Sequence, residues 1–325
     1  MLSLGLRRQP PASPPNLEAN VPSPPAQQDV IIVGAGPAGL SAALMLGRCR
    51  RSVLVFDNHR PRNGPSKALH GYLTRDGTPP SEFLAMARLE LTKYETVELR
   101  DGDVSAAECR SDGGYGVTLS TGESFFARKL LLATGVVDNL PDIPGFKDLY
   151  GRSVFHCPYC DGYELRDQPL GIYGRGARGS GLALEMTAWS RDLVLCTDGP
   201  AELEQTERDK LQRNGITVHE QRVVRLEGTD GILSAVIFED GTRLPRRALF
   251  FTTGQFQRSD LLERLGCEFT EKGTVRTGKY ETTHLPGLFV CGDASRAVQW
   301  VIVAASEGAE AAFAINTNLV KEDLR

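Results

Sequence analysis

Two features that mark membrane proteins and nucleic-acid-binding proteins are missing from this sequence. Its 325 residues contain no run of about 18 apolar residues, so no membrane-spanning helix is predicted. Basic residues are not in excess, because 37 lysines and arginines face 41 aspartates and glutamates. Binding to a polyphosphate backbone needs a basic surface. We therefore expect no membrane contact and no nucleic-acid partner.

The chain also has too few clustered cysteines for a secreted, disulfide-stapled domain, which would carry more of them in a shorter chain. Of its seven cysteines, only Cys157 and Cys160 lie close together. We expect the other five to be buried, reduced thiols and the protein to be cytoplasmic. Residues 1–28 are rich in proline and show no helical or strand period. They predict a solvated tail and no secretory signal.

A nucleotide-binding pattern follows the tail. The apolar residues 30–33 lead into a loop that contains Gly34, Ala35, Gly36, Pro37, Ala38 and Gly39. A helical pattern comes next, and then a second apolar run that ends in Asp57. This order of strand, G-x-G-x-x-G loop, helix, strand and acid is typical of a dinucleotide-binding βαβ unit. The glycines let a pyrophosphate approach the backbone, and we expect Asp57 to accept hydrogen bonds from ribose hydroxyls.

The same pattern recurs further along the chain. An apolar run precedes a second glycine-rich loop with Gly174, Gly176 and Gly179, and a helical pattern and another apolar run follow it. The second unit already has its own closing strand at about residue 251. The last strand pattern, at residues 287–293, therefore resembles a returning piece of the first unit, and a final helix is predicted over about residues 299–318.

These patterns predict an α/β fold with two Rossmann-like, three-layer nucleotide-binding domains, the second inserted into the first. The first domain is expected to cover residues 29–139 and 255–325. The inserted domain is expected to cover residues 140–254.

The inserted domain carries the pair Cys157 and Cys160, followed directly by Asp161. Two thiols at this spacing can form a redox disulfide, bind a metal or remain inert and buried. A structural zinc site needs four ligands, and no second C-x-x-C motif is present, so we expect no metal. For a redox disulfide, Asp161 is the natural proton donor and acceptor; a turn residue is the alternative.

Two further strand ends carry candidate cofactor ligands. One apolar run ends in Gly135, and the last one ends in Gly292 and Asp293. An acid at such a position can hold a ribityl hydroxyl, with capping of the following helix as the alternative. Gln299 and Trp300 follow, and Trp300 could stack on a ring system or pack at an interface.

With these motifs in this order, the chain resembles the low-molecular-weight thioredoxin reductases over nearly its whole length after the tail. The resemblance lies in the motifs GAGPAGLSAAL (34–44), ATG (133–135), CPYCDG (157–162), GRGARG (174–179) and GLFVCGD (287–293). It implies FAD in the first domain and a redox-active Cys157–Cys160 disulfide, with Cys160 towards the flavin, Cys157 attacking an external disulfide and Asp161 handling protons. It also implies a homodimer, and a domain rotation that alternately exposes and reduces the disulfide.

The sequence departs from the NADPH-using members of this group in its second unit. Those members carry a basic cluster after the second nucleotide fold, whereas this chain has Thr197, Asp198 and Gly199. A carboxylate there would repel a 2′-phosphate, so NADPH is a doubtful donor. The acidic pair expected early in the second helix is replaced by Gly181 and Leu182.

These departures favour the pyridine-nucleotide-independent branches, of the diflavin-linked disulfide oxidoreductase or dithiol oxidase type. Two alternatives stay open for the second site: an empty fold that only carries the disulfide, or a second FAD.

We therefore expect an FAD-dependent thiol–disulfide oxidoreductase that exchanges electrons with an external dithiol or disulfide, on a protein or a small molecule. Oxygen or ferredoxin is the expected redox partner. An NAD(P)H-dependent thioredoxin reductase and a flavin-bound redox sensor without efficient turnover remain the alternatives.

Overall fold

A computed structural model describes residues 27–111 and 113–325. The predicted N-terminal tail lies, apart from its last two residues, outside the described residues. Within the described part, no helix is long and apolar enough to cross a bilayer.

The strands alternate with helices along the chain. The strands are β1 (Gln28–Val33), β2 (Val53–Asp57), β3 (Val97–Asp101), β4 (Val104–Cys109), β5 (Tyr115–Leu119), β6 (Ser124–Leu132), β7 (Val136–Asp138), β8 (Val154–Phe155), β9 (Leu170–Tyr173), β10 (Leu193–Cys196), β11 (Thr217–His219), β12 (Val223–Thr229), β13 (Ile232–Phe238), β14 (Arg243–Pro245), β15 (Ala248–Phe251), β16 (Gln255–Gln257) and β17 (Leu288–Val290). The α-helices are α1 (Pro37–Arg48), α2 (Pro80–Leu91), α3 (Phe146–Leu149), α4 (Pro158–Asp161), α5 (Gly176–Glu185), α6 (Gln205–Arg213), α7 (Leu261–Arg264) and α8 (Val301–Asp323).

The first sheet has the strand order β3-β2-β1-β6-β5-β4. Strands β1, β2, β3 and β6 are parallel to one another, and β4 and β5 form an antiparallel hairpin against the first half of β6. The second half of β6 pairs in parallel with β17. The chain therefore returns to its first sheet near its end. We call this sheet with α1, α2 and α8 the first unit.

The second sheet is parallel throughout, with the order β11-β10-β9-β15-β8. A three-stranded antiparallel sheet of β12, β13 and β14 accompanies it, and apolar side chains of both sheets share a core. We call this the inserted unit. Parallel sheets with helices between successive strands confirm the predicted α/β class and the two nucleotide folds.

Two short strands carry the chain between the units. β7 leaves the first unit, β16 returns to it, and the two pair antiparallel with Asp138 opposite Gln255. The exact domain boundaries of the sequence analysis stay predictions, but this crossover ladder lies at their edges.

Strand β6 is longer than its neighbours, because its first half pairs with β5 and its second half with β17. Helix α8 extends beyond the predicted end at residue 318. Leu319 is buried, and Glu322 and Asp323 pair with Lys129 and Arg128 of β6, which hold the last turn in place.

The free cysteines are a partial correction. Cys196, Cys267 and Cys291 are buried as expected, whereas Cys49 and Cys109 are exposed. Cys49 follows the last turn of α1 and Cys109 ends an edge strand, so neither position faces the core.

Helix α8 packs directly against α1. A Cβ added at Gly308 would overlap the backbone carbonyl of Ala38, so only glycine lets the two helices approach to this distance. Because α1 begins at the first glycine-rich loop, this contact fixes the direction in which the loop faces.

We expect Gly308→Ala to lower the free energy of unfolding by about 1–3 kcal/mol, because the added methyl forces the helices apart. The matched control is Gly181→Ala in α5, where an added Cβ meets nothing within 4 Å. That change should stabilise by roughly 0.5–1 kcal/mol through helix propensity. Denaturant unfolding of both variants measures the difference, and equal effects of the two would contradict the packing explanation.

Candidate active site

A cleft of about 530 Å³ runs from the first glycine-rich loop to the C-x-x-C motif. Its walls come from the carboxyl ends of the first-sheet strands and from the start of the inserted unit, which is where ligands bind in open α/β sheets. The residues named from the sequence that line it are Gly34, Gly36, Pro37, Ala38, Asp57, Gly135, Cys160, Asp161, Gly292, Asp293, Gln299 and Trp300.

The glycines of the first loop have separate roles. Gly34 has a φ of +107°, and a side chain there would overlap the carbonyl of Ala133. A Cβ at Gly36 would point into open space at the cleft, because nothing lies within 4 Å. Gly39 instead packs on the carbonyl of Gly34, so it brings α1 close to the loop. The backbone is therefore open to a ligand at the N-terminus of α1.

The wall of the cleft around Asp57 is polar, and two of its buried polar atoms lack a hydrogen-bond partner among the described residues. Asp57 is buried, accepts a hydrogen bond from the backbone N–H of His59 (3.0 Å) and pairs with Arg88. Arg88 Nε and Thr134 Oγ1 are buried, and neither has a hydrogen-bond partner in the described part of the chain. Both residues line the cleft. Buried polar atoms are normally paired, so these two fit a polar ligand such as a dinucleotide.

A buried acid supports the turn that carries Asp293. Gly292 has a φ of +75°, and its N–H donates to Glu307 Oε2 at 2.7 Å. Arg296 pairs with both Glu307 and Glu281. Burial, and then the neighbouring Glu281, raise the pKa of Glu307 to about 7. This cluster fixes the loop that presents Asp293 to the cleft.

Cys157 and Cys160 form a disulfide at the other end of the cleft. Cys157 caps the one-turn helix α4, and its Sγ accepts a hydrogen bond from the N–H of Cys160 at 3.2 Å. Of the two cysteines, it is Cys160 that lines the cleft. Asp161 lines it too, and burial raises the pKa of Asp161 to about 7. An acid of this kind can hold or release a proton near neutral pH.

Trp300 lies beside the disulfide. Its ring centroid is 5.5 Å from that of Tyr159, the residue between the cysteines, and Tyr159 in turn contacts Trp189 edge-on at 5.4 Å. Trp300 belongs to the first unit and Tyr159 to the inserted unit. Trp300, for which the sequence leaves open stacking on a ring system or packing at an interface, packs on the disulfide helix and lines the cleft.

A charged network around Arg62 lies between the first glycine-rich loop and the disulfide, and no sequence motif predicts it. The Arg62 guanidinium contacts Asp138 and Asp293, and it donates to the side-chain oxygens of Gln255 and Gln299. Arg62 stands in a proline-rich loop with no recognised motif. Only the folded chain brings its partners together, since they lie between 76 and 237 residues away in sequence.

Two side chains of the inserted unit extend this network. Tyr150 donates to Asp138 Oδ2 at 2.6 Å, and His156 Nδ1 lies 3.8 Å from the same oxygen. Burial lowers the pKa of His156 to about 4, so this imidazole is neutral at physiological pH. It stands directly before Cys157.

The second glycine-rich loop is formed differently. Gly174 lies between β9 and α5, whereas Gly176 and Gly179 lie in the first turn of α5. Arg175, which stands between them, folds back over the neighbouring strand end. Its guanidinium donates to the carbonyls of Thr197 (2.5 Å) and Asp198.

The Asp198 carboxylate also has partners within its own unit. It accepts hydrogen bonds from Tyr173 Oη at 2.9 Å and from the N–H of Val223 at 2.8 Å. This strand end, where a dinucleotide ribose binds in such folds, is therefore contacted by the protein itself.

No metal cluster is formed by the described residues, in which no three His, Cys, Asp or Glu side chains are grouped to hold an ion. The disulfide, the glycine-rich loop and the acids in one cleft point to redox chemistry on a dinucleotide.

A model of the family described as pyridine nucleotide-disulphide oxidoreductase matches residues 28–308. The chain belongs to this family. It is 32% identical to the thioredoxin reductase aclD of Aspergillus oryzae, over 91% of this chain and 97% of the relative. It is 33% identical to the thioredoxin reductase tcpT of Claviceps purpurea, over 82% and 86%.

The fold agrees with solved relatives. A Bacillus anthracis structure assigned as the thioredoxin reductase TrxB superposes with a TM-score of 0.87 at 36% identity, covering 91% of this chain and 99% of that one. The chain is thus a thioredoxin reductase-like flavin disulfide oxidoreductase of an FAD-binding family, as the resemblance implied. The individual site assignments, the donor and the branch stay predictions.

The raised pKa of Asp161 predicts how stability depends on pH. An acid whose pKa is higher in the folded state stabilises that state at low pH, and this contribution is lost as the pH rises towards about 7. Asp161→Asn cannot ionise. Relative to the parent, the variant should therefore gain stability between pH 5 and pH 8, measured by denaturant unfolding. The exposed Glu271→Gln is the control, and a parallel gain there would refute the assignment to Asp161.

Proposed function

We propose that the protein is an FAD-dependent dithiol–disulfide oxidoreductase that exchanges electrons with an external dithiol and does not use NADPH. The observation that carries this proposal is the shared cleft: Cys160 and Asp161 line the same cavity as the first glycine-rich loop and Asp293. We also propose that it works as a cytoplasmic homodimer, which rests on the family resemblance and on its cysteine usage.

The residues present fit FAD. The open backbone at Gly36 and the N-terminus of α1 would hold the pyrophosphate, Asp57 and Arg88 the adenosine end, and Asp293 the ribityl chain. The unpaired Thr134 Oγ1 and Arg88 Nε supply further polar contacts. When bound, FAD supplies two-electron redox chemistry to the disulfide.

The protein groups at the disulfide define the exchange with an external dithiol. One thiolate of the dithiol attacks Cys157 Sγ, the Cys157–Cys160 bond breaks, and Cys160 leaves as a thiolate. The second thiolate of the substrate then attacks its own sulfur in the mixed disulfide and releases Cys157. The substrate loses two electrons as it becomes a disulfide, and the enzyme disulfide gains them.

One backbone group and one side chain assist this exchange. The N–H of Cys160 already donates to Cys157 Sγ, so it would stabilise a thiolate there. Asp161, with its pKa raised to about 7, takes up and returns the proton that leaves with the thiols.

The second glycine-rich loop supports independence from NADPH. Residues 197–207 contain no basic side chain. This strand end therefore offers no basic cluster to bind a 2′-phosphate. Asp198 would instead repel it, by roughly 4 kcal/mol for unit charges 4 Å apart at an effective dielectric constant of 20, before screening. Arg175, which lies 3.9 Å from Asp198 Oδ2, offsets part of that repulsion. Its guanidinium is nevertheless engaged by the strand end and stands where a ribose would bind.

We expect micromolar NADPH to reduce the flavin slowly and a small dithiol such as dithiothreitol to reduce it rapidly. Anaerobic stopped-flow spectra with NADPH, NADH and dithiothreitol compare the donors, and reoxidation by oxygen or by oxidised ferredoxin compares the acceptors. Rapid bleaching by NADPH would refute the proposal and favour the NAD(P)H-dependent alternative. Slow reaction with every donor and acceptor would favour the redox sensor.

The number of FAD molecules per subunit tests whether the second nucleotide site holds a flavin. About one FAD per subunit should be released on denaturation. About two would instead indicate a second flavin, and Trp300→Ala would then show whether Trp300 holds the weaker one.

The variant Cys160→Ser tests the assigned cysteine. It should keep FAD and lose at least about 10²-fold in dithiol turnover, because no disulfide can form. The control Cys109→Ser removes an exposed thiol and should turn over normally. Retained turnover in Cys160→Ser would contradict the role of Cys160.

A further inference from the structure

We propose that His70 is a proton-relay residue that carries protons between Asp161, beside the disulfide, and the solvent. This inference rests on the proposed function, in which Asp161 takes up and returns the proton that leaves with the thiols. It names the group through which Asp161 exchanges that proton with water. His70 acts through Asp161 and is therefore a positioning residue, not a catalytic one. It lies between β2 and α2 of the first unit, whereas Asp161 belongs to the inserted unit.

Asp161 needs a partner of this kind because it must lose each proton again before the next turnover. The titratable groups that face it are His70, Glu164 and Tyr150. Burial raises the pKa of Tyr150, and its hydroxyl already donates to Asp138. Among the ionisable side chains, histidine is the one that gains and loses a proton near neutral pH. The imidazole is therefore the group suited to pass the proton on.

The loop that carries His70 holds its imidazole in one direction. The backbone N–H of Leu69 donates to the carbonyl of Thr78 at 2.8 Å and closes the loop. Asp76 Oδ1 accepts a hydrogen bond from the N–H of Gly71 at 2.8 Å, and the same oxygen lies 3.4 Å from His70 Nδ1. A carboxylate beside one ring nitrogen fixes the role of the other. Nε2 is thus the nitrogen left for the inserted unit.

The other ring nitrogen faces the segment after the disulfide. His70 Nε2 lies 3.7 Å from Oε1 of Glu164, three residues after Asp161. After burial, the two groups that act on the pKa of Asp161 are His70, which lowers it, and Glu164, which raises it. His70, Cys160 and Asp161 line the same cleft. The side chain of His70 is 20% exposed, and those of Asp76 and Glu164 are 69% and 47% exposed. The imidazole therefore stands between a partly buried acid and two carboxylates that reach water.

The arrangement moves a proton in three steps. A substrate thiol that attacks Cys157 as a thiolate gives its proton to a carboxylate oxygen of Asp161. Asp161 passes the proton to His70 Nε2, directly or through one water. The imidazolium then releases it to the solvent between Asp76 and Glu164, whose negative charges favour the cation meanwhile. The reverse order returns a proton when a thiolate is protonated again. No electron moves along this path, so the redox balance is that of the dithiol exchange.

Removal and replacement of the imidazole test the relay. In FAD-loaded protein, His70→Ala should slow the reduction of the flavin by dithiothreitol about 10²-fold near neutral pH, since positioned proton transfer has effects of this size. Added imidazole should restore most of the lost rate, in proportion to its concentration until it saturates. A variant that is slow for structural reasons would not respond to imidazole.

A second variant separates proton transfer from hydrogen bonding. His70→Gln keeps a polar group beside Asp76 but cannot carry a proton, so it should be as slow as His70→Ala, and it takes the place of that variant if the alanine protein does not fold. The control is His284→Ala, which removes an exposed imidazole outside the cleft and should react like the parent with and without imidazole. A parental rate in His70→Gln, or a slow His70→Ala that imidazole does not restore, overturns the proposal.

A titration of Asp161 tests the same pairing without any dithiol. Infrared absorption of the protonated carboxyl follows its proton, and the band that Asp161→Asn lacks identifies it. Because His70 lowers the pKa of Asp161 and Glu164 raises it, His70→Gln should move the midpoint of this band to higher pH and Glu164→Gln should move it to lower pH. An unchanged midpoint in His70→Gln also overturns the proposal. If the parent does not react with dithiols, the proposed function fails, whereas the titration still decides whether His70 acts on Asp161.

Discussion

The ion pairs of Arg62 with the buried Asp138 and the partly buried Asp293 hold together the part of the cleft between the cofactor-facing turn and the crossover strands. Asp293 belongs to the cofactor-facing turn and Asp138 to the crossover ladder, and Tyr150 of the inserted unit donates a hydrogen bond to Asp138. A bidentate, water-excluded pair tolerates little displacement. One cation therefore joins the cofactor-facing turn to the strands on which the chain passes between the two units.

The same burial sets the protonation states around the disulfide. It raises the pKa of Asp161 to about 7 and lowers that of His156 to about 4, since loss of water disfavours whichever form is charged. The acid beside Cys160 can then exchange protons near neutral pH, while the histidine beside Cys157 stays neutral. These two titratable groups, one on each side of the C-x-x-C motif, thus differ in role because of their surroundings.

The two glycine-rich loops show how one motif supports different uses. At the first loop, Gly36 leaves the backbone open and two buried polar atoms lack partners. At the second, Arg175 contacts the strand end, and Asp198 is satisfied by Tyr173 and Val223. A glycine pattern indicates that a ligand can approach the backbone closely. The side chains that fold over the loop determine whether the ligand position is free.

The sequence by itself determined the α/β class, the two nucleotide folds, the cysteine pair and twelve of the residues that line the cleft, because local spacing of glycines, apolar runs and cysteines carries that information. It could not predict that residues 124–132 form one strand, since strand length there depends on pairing with both β5 and β17. Nor could it find Arg62, Asp138, Tyr150 or Arg88, which stand in no motif. Their roles come from contacts between residues far apart in sequence, and only the packed tertiary structure decides which charges meet and which polar atoms are left for a ligand.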